Sequence, residues 1–222
     1  MAGGHDYRQL KRDTEPDSVA TLFLWVKGAA IGAFAFLVGL GLVHFLVKMR
    51  YYGEAALAVT EFGRWRVSAW VYYNAHLVPT DGVTFGPAEA FAEGGSTLAL
   101  LAAANSRLMG LYLLPPALLV VAGYVTAKRR PKNTSWVRGG LAVFVGYFFV
   151  AVLFMLVSTL QAPSGVPGLE SLGTQEIGPN PWFAIAFAAI AYPAFFGMLG
   201  ATIGRRAPWR RRGKDRQPKH RT

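Results

Sequence analysis

Four stretches of this sequence, 28–47, 108–127, 139–161 and 182–204, are apolar over the length a helix needs to cross a bilayer. Crossing the hydrocarbon layer takes about 20 consecutive, mostly apolar residues, because lipid satisfies no open backbone group. None of the four runs contains Asp, Glu, Lys or Arg. The pattern predicts an all-α polytopic membrane protein, an antiparallel up-down bundle of four transmembrane helices. Of the 222 residues 53% are hydrophobic and 16% charged, and the charges lie outside the four runs, whereas a soluble domain interleaves them. The expected organisation is a polar segment 1–18, one transmembrane domain 19–204 with a large connection at 48–107, and a basic tail 205–222.

Orientation follows from Lys and Arg. The segment up to Lys27 holds four, 128–138 five and the tail after Gly204 nine, against five in 48–107 and none in 162–181. The positive-inside rule makes the richer side cytoplasmic, so both termini are expected inside, in a cell membrane. The formal net charge of +11 then describes one face, because the outer connections carry seven acidic residues against five basic ones. Residues 1–18 are polar and mixed in charge, the apolar run after Lys27 is too long for the core of an export signal, and no small-x-small cleavage pattern follows it. The first run is expected to stay as an anchor. The chain has no cysteine, which excludes disulfides, thiolate nucleophiles and cysteine-held clusters.

Within the first helix, Asp17 and Ser18 suit an N-terminal cap, and 19–26 is expected to extend the span continuously, with Lys27 reaching for headgroups. Gly28 and Gly32 are four apart, as are Gly200 and Gly204, and such spacing lets helices approach closely. The segment 54–78 reads as an amphipathic helix with Ala58, Phe62, Trp65, Ala69 and Tyr72 or Tyr73 on one face. It is expected to lie at the outer interface, where Trp65, Trp70, Tyr72 and Tyr73 would sit among headgroups. Gly63 weakens that helix, 67–74 also alternates as a strand would, and 79–82 reads as a turn. Ser96 caps a helix expected to run through Asn105 into the second span, and 162–181, with four prolines and four glycines, reads as an irregular outer connection.

Sites of chemistry are sparse. Among Asp, Glu, His, Lys and Arg, His44 is the one ionisable candidate in the spans, near the outer end of the first, where an interfacial hydrogen bond is expected to satisfy it. His76 is the other histidine on that side, and the two have no spacing that suits a haem. Pro115, Pro116 and Pro193 break or kink the second and fourth spans, since proline removes a backbone hydrogen bond and clashes with the preceding turn. Asn105, Arg107, Tyr112, Tyr147 and Tyr192 are candidates for a polar path around those breaks. The aromatic third span, with Phe144, Tyr147, Phe148, Phe149 and Phe154, reads as lipid-facing packing. Asn133-Thr134-Ser135 matches a glycosylation sequon on the side where glycosylation does not occur. No nucleophile pairs with a base, so no catalytic, cofactor or metal site is expected.

The tail carries Arg205, Arg206, Arg210, Arg211 and Arg212 directly after a span, a position that grips anionic headgroups at about 1 kcal/mol per basic residue. Nucleic-acid binding is the sharper, less favoured alternative, because charge without a motif is non-specific. In its polar start through Ser18, its loop with Asp81-Gly82-Val83-Thr84 and its arginine-rich end 205–212, the layout resembles uncharacterised four-pass membrane proteins of halophilic archaea. Some of those carry a transporter label, and the resemblance implies no catalytic residues. Two functional expectations follow: a non-enzymatic component that packs by its glycine faces into a larger membrane assembly or with copies of itself, or a small transporter with proline-broken helices.

Overall fold

The computed structural model describes residues 18–51, 63–81, 106–128, 135–161 and 176–206. Its main elements are α1 (Ser18–Tyr51), α2 (Arg64–Asn74), α3 (Leu114–Lys128), α4 (Trp136–Ser158), α5 (Pro181–Phe183) and α6 (Tyr192–Arg206), with strands β1 (Thr80–Asp81), β2 (Leu160–Gln161) and β3 (Glu176–Pro179). A 3-10 helix, Ser106–Leu113, leads into α3, and a π-helical stretch, Ala184–Ala191, joins α5 to α6. Four helical runs are long and apolar enough to cross a membrane: Thr21–Leu46, Met109–Lys128, Val137–Ser158 and Pro181–Arg205. Their outward faces are apolar too, with Phe34 and Phe149 each 67% exposed. An apolar rind over an apolar core fits lipid rather than water as the surrounding solvent.

The spans alternate in direction, yet the closest neighbours are the parallel pairs. A Cβ on Gly32 would collide with the Val143 carbonyl oxygen, and one on Gly146 with that of Ala29, which locks α1 to α4. Farther along the same pair, Phe36 packs edge-on against Tyr147 at 5.2 Å between centroids. The second pair repeats the device: a Cβ on Gly200 would meet the Val120 carbonyl oxygen, and one on Gly123 that of Gly197. Gly28 lies against Ala142, and Gly204 against the Tyr124 carbonyl. The glycine faces are therefore occupied within the chain. Close backbone approach is what small residues supply where apolar lipid gives helices no hydrophobic reason to associate.

One end of this bundle is filled by α2 and a small sheet. Gly63, the residue before α2, has φ 79°, a left-handed conformation that favours glycine, so it marks the start of the helix rather than a flaw within it. The helix stops at Leu77, also left-handed at φ 63°, where the Val78 N–H reaches the Tyr73 carbonyl at 3.1 Å and the Leu77 N–H reaches that of Asn74 at 2.9 Å. This is a Schellman ending with leucine in the place glycine normally takes. A left-handed leucine costs about 1 kcal/mol. Leu77 is exposed, so Leu77→Gly is expected to raise the unfolding free energy of the purified protein by about that amount, read as a higher denaturation midpoint.

The sequence-based picture of an amphipathic helix at the outer interface does not match the described part of that segment. Val67 through Asn74 are all buried, whereas Trp65 remains 39% exposed. Each polar tip finds a partner inside the protein: Trp70 Nε1 donates to the Ser158 carbonyl at 3.1 Å, and Tyr73 Oη to that of Ala151. With those partners at hand, no headgroup is required to satisfy the rings. Residues 54–62 lie outside the described residues, as do 82–105, with the expected helix from Ser96.

Thr80 and Asp81, expected in a turn, form an edge strand. It pairs antiparallel with β3 at Thr80–Pro179 and Asp81–Gly178, and β3 pairs in turn with β2. The expected irregular connection therefore ends in the central strand of this sheet. Asn180 ties the sheet to the last span. Its side chain caps α5 by accepting from the Trp182 and Phe183 N–H groups, while its Nδ2 donates to Asp81 at 2.8 Å.

Candidate functional site

Beneath α2, enclosed by α1, α4 and α6, lies a polar cluster in which His76, Tyr72 and Tyr147 are each fully buried. His76 Nδ1 lies 2.8 Å from the Tyr72 carbonyl oxygen, which only accepts, so Nδ1 carries the proton. Burial holds the imidazole well below its ordinary value, at about 4, so it is neutral near pH 7. Its Nε2 is then an acceptor, and the Tyr147 hydroxyl, 2.6 Å away, donates to it. With that proton committed, the Tyr72 hydroxyl at 3.0 Å donates to Tyr147. The direction of every hydrogen bond follows from one carbonyl. The chain of bonds runs from the Tyr72 hydroxyl through Tyr147 and His76 back to the Tyr72 backbone. Burial also raises the Tyr72 and Tyr73 hydroxyls above the usual phenol range, so both stay protonated.

Aromatic rings enclose the cluster. Phe36 stands edge-on to Tyr72 at 5.1 Å, and Tyr192 lies 5.0 Å from the His76 ring. Gly39 gives the Tyr72 hydroxyl its space, since a Cβ there would overlap it. Tyr147 is 11 residues from the end of α4 at Ser158, about 16 Å along a helix. The tyrosines of α2 thus reach far down the bundle.

Of the residues expected along a polar path, the structure brings Tyr147 and Tyr192 to this cluster, and Tyr112 packs against the surrounding core. Tyr147, expected at the lipid, is core, while its neighbour Phe149 faces outward. Arg107 lies in the 3-10 helix and Asn105 outside the described residues. Pro115 and Pro116 stand where the 3-10 helix passes into α3, so the helical geometry of the second span changes at the prolines. Pro193 likewise sits at the start of α6, and the preceding turn widens so that the Tyr192 N–H bonds the Phe187 carbonyl, five residues back. Arg205 is exposed at the other end, Arg206 closes α6, and Arg210, Arg211 and Arg212 lie outside the described residues.

His44 and His76 do not meet. His44 Nδ1 lies 3.0 Å from the Ser68 hydroxyl, which donates to the Arg64 carbonyl at 2.9 Å. Sequence reasoning singled out His44 and missed the Tyr72–His76 pair. The available signal was the run Trp70-Val71-Tyr72-Tyr73-Asn74-Ala75-His76, rich in aromatic rings with polar tips yet too short for a span.

A family model matches residues 6–207, nearly the whole chain including all four spans, and its description is a family of unknown function, DUF7978. The chain belongs to DUF7978. No curated protein and no solved structure matches it. For this DUF7978 member the family assigns no substrate or chemistry, so the functional reading rests on the His76 cluster and the helices around it.

Proposed function

We propose that this protein is a multi-pass component of the cell membrane, with both termini cytoplasmic, that serves as a non-enzymatic accessory or structural subunit of a membrane assembly. The observation that carries this reading is the closed hydrogen-bond circuit of His76, Tyr147 and Tyr72, which commits both imidazole nitrogens and the Tyr147 hydroxyl to one another and to backbone. A catalytic acid or base has to present an atom to its substrate. Here α2 acts as a plug that stiffens the outer mouth of the bundle. Contact with partners or further copies falls to the exposed apolar flanks, because the glycine faces are spent on internal packing. The basic run after Gly204 holds anionic headgroups on the cytoplasmic side. Solubilisation in mild detergent is expected to bring down a defined set of membrane proteins or a homo-oligomer. Recovery of the protein as a lone monomer from native membranes would refute the reading.

A second reading, a small transporter, is favoured by one observation. The second and fourth spans both depart from α-geometry at the end that holds the plug, as a 3-10 helix before Pro115 and a π-helical stretch before Pro193. Irregular turns of this kind cluster at functional sites. Flux of small solutes into liposomes containing the purified protein, lost on Pro193→Ala, would establish transport. Equal leakage with and without the protein would remove it.

A further inference from the structure

On the flank of the bundle, beside the plug, an open groove of about 370 Å³ is lined by Leu37, Leu40, Gly41 and His44 of α1, Trp65 of α2 and Phe154 of α4. Its walls are apolar except at one point. The Ser68 hydroxyl donates to the Arg64 carbonyl, so it accepts from His44 Nδ1, and in the tautomer with its proton on Nδ1 the ring presents Nε2 as an acceptor. Among the described residues Nε2 has no protein partner. His44 lies two residues from the end of the apolar run Thr21–Leu46, at the depth where a lipid changes from chain to headgroup. Trp65, half in the groove and half exposed, suits the same level. Two cations flank Trp65 in α2: Arg64 precedes it and is exposed, and the Arg66 guanidinium lies over the Trp65 ring at 4.9 Å. Among the described residues no acidic side chain lines the groove.

We propose that this groove binds one anionic glycerophospholipid, its acyl chain along Leu37, Leu40, Gly41 and Phe154, a headgroup hydroxyl donating to His44 Nε2 and its phosphate facing Arg64 and Arg66. The site commits to a bilayer lipid because its apolar part opens on the lipid-facing flank of α1, where Leu37 and Phe45 are exposed, and because His44 and Trp65, next to Arg64 and Arg66 in sequence or space, stand at the end of the apolar run of α1. The proposal rests on the chain being a membrane protein, and it concerns the face opposite the basic tail. Gly41 is the position to test, since a Cβ there meets nothing within 4 Å and a larger side chain fills the groove without entering the core.

Wild type and Gly41→Trp are purified in mild detergent, tested for an unchanged melting curve, and exchanged into nanodiscs of phosphatidylglycerol, phosphatidylcholine or their mixture. Native mass spectrometry then counts the retained lipids. Wild type is expected to hold one lipid, with phosphatidylglycerol preferred, and Gly41→Trp to hold none at this site. Arg64→Gln, at an exposed position, is expected to lower the preference about fivefold while a lipid still binds. Equal retention by wild type and Gly41→Trp overturns the proposal, as does a wild type that retains no lipid. If Gly41→Trp fails to fold, an unchanged preference in both Arg64→Gln and His44→Gln overturns it instead. Carbonate extraction of membranes, which tests whether the chain is membrane-embedded at all, separates failure of the groove from failure of that reading.

Discussion

Gly32→Val is expected to prevent assembly of the folded protein. The added carbon would sit inside the contact distance of the Val143 carbonyl oxygen, and the obstacle is helix backbone, which no rotamer change clears. Prying α1 from α4 also uncouples the Phe36–Tyr147 contact farther along the same pair. The combined loss is expected at about 4 kcal/mol or more, a large fraction of the stability of a typical domain. Gly200→Val is expected to do the same to the other parallel pair, through the Val120 carbonyl. The control is Gly41→Ala, whose Cβ meets nothing and which is expected to be neutral or to gain up to about 1 kcal/mol from helix propensity. Denaturation in mixed micelles, followed by tryptophan fluorescence, ranks the three. Wild-type behaviour of Gly32→Val would mean that the α1–α4 contact is not as close as described.

The second large effect concerns pH. In the folded protein burial keeps His76 unprotonated down to about pH 4, against an ordinary value of 6.5. Below about pH 6.5 the unfolded chain takes up a proton that the folded protein refuses, so stability falls as the pH drops through this window. The loss reaches about 3 kcal/mol and levels off below pH 4, where both states are protonated. Protonation also turns Nε2 into a donor, so the Tyr147 hydroxyl has to accept from it and donate to Tyr72, which reverses the chain of bonds and leaves the Tyr72 hydroxyl without an acceptor in it. His76→Gln retains one donor and one acceptor but does not titrate. Its stability is therefore expected to change less than that of wild type between about pH 7 and about pH 4.5, by most of that 3 kcal/mol. Equal slopes for the two proteins would show that acid sensitivity originates elsewhere. His76→Ala, which takes away the acceptor of the Tyr147 hydroxyl and opens a cavity beside it, is expected to cost about 3 kcal/mol at neutral pH.

The spans were legible in the sequence because lipid imposes one requirement on every residue along a crossing helix. Their predicted starts and ends fall within a few residues of the structure, and α1, Ser18–Tyr51, starts where the capping residues and the continuous extension through 19–26 place it but runs on past the apolar run at its other end. The plug was legible only in part. Trp70, Tyr72 and Tyr73 have an apolar body and a polar tip, a combination equally at home among headgroups and in a hydrogen-bonded interior. Periodicity cannot separate the two, since the acceptors that draw these rings inward belong to Ala151 and Ser158, 78 and 88 residues away. The prolines show a similar limit. Their power to disturb a helix is local, but the form the disturbance takes, 3-10 turns before Pro115 and a π-helical stretch before Pro193, belongs to the folded bundle.

What the residues determined alone is therefore what a single helix meets in its solvent: which runs are apolar enough to cross, where charges are excluded, and which glycine pairs allow close approach. Tertiary structure decided which helices those glycines join, that parallel rather than consecutive spans lie closest, and that α2 seals one end with a histidine whose protons have fixed places. The reason is physical. Hydrophobicity acts on each residue separately, whereas a hydrogen-bond direction or a backbone collision exists only between two groups that the fold has already brought together.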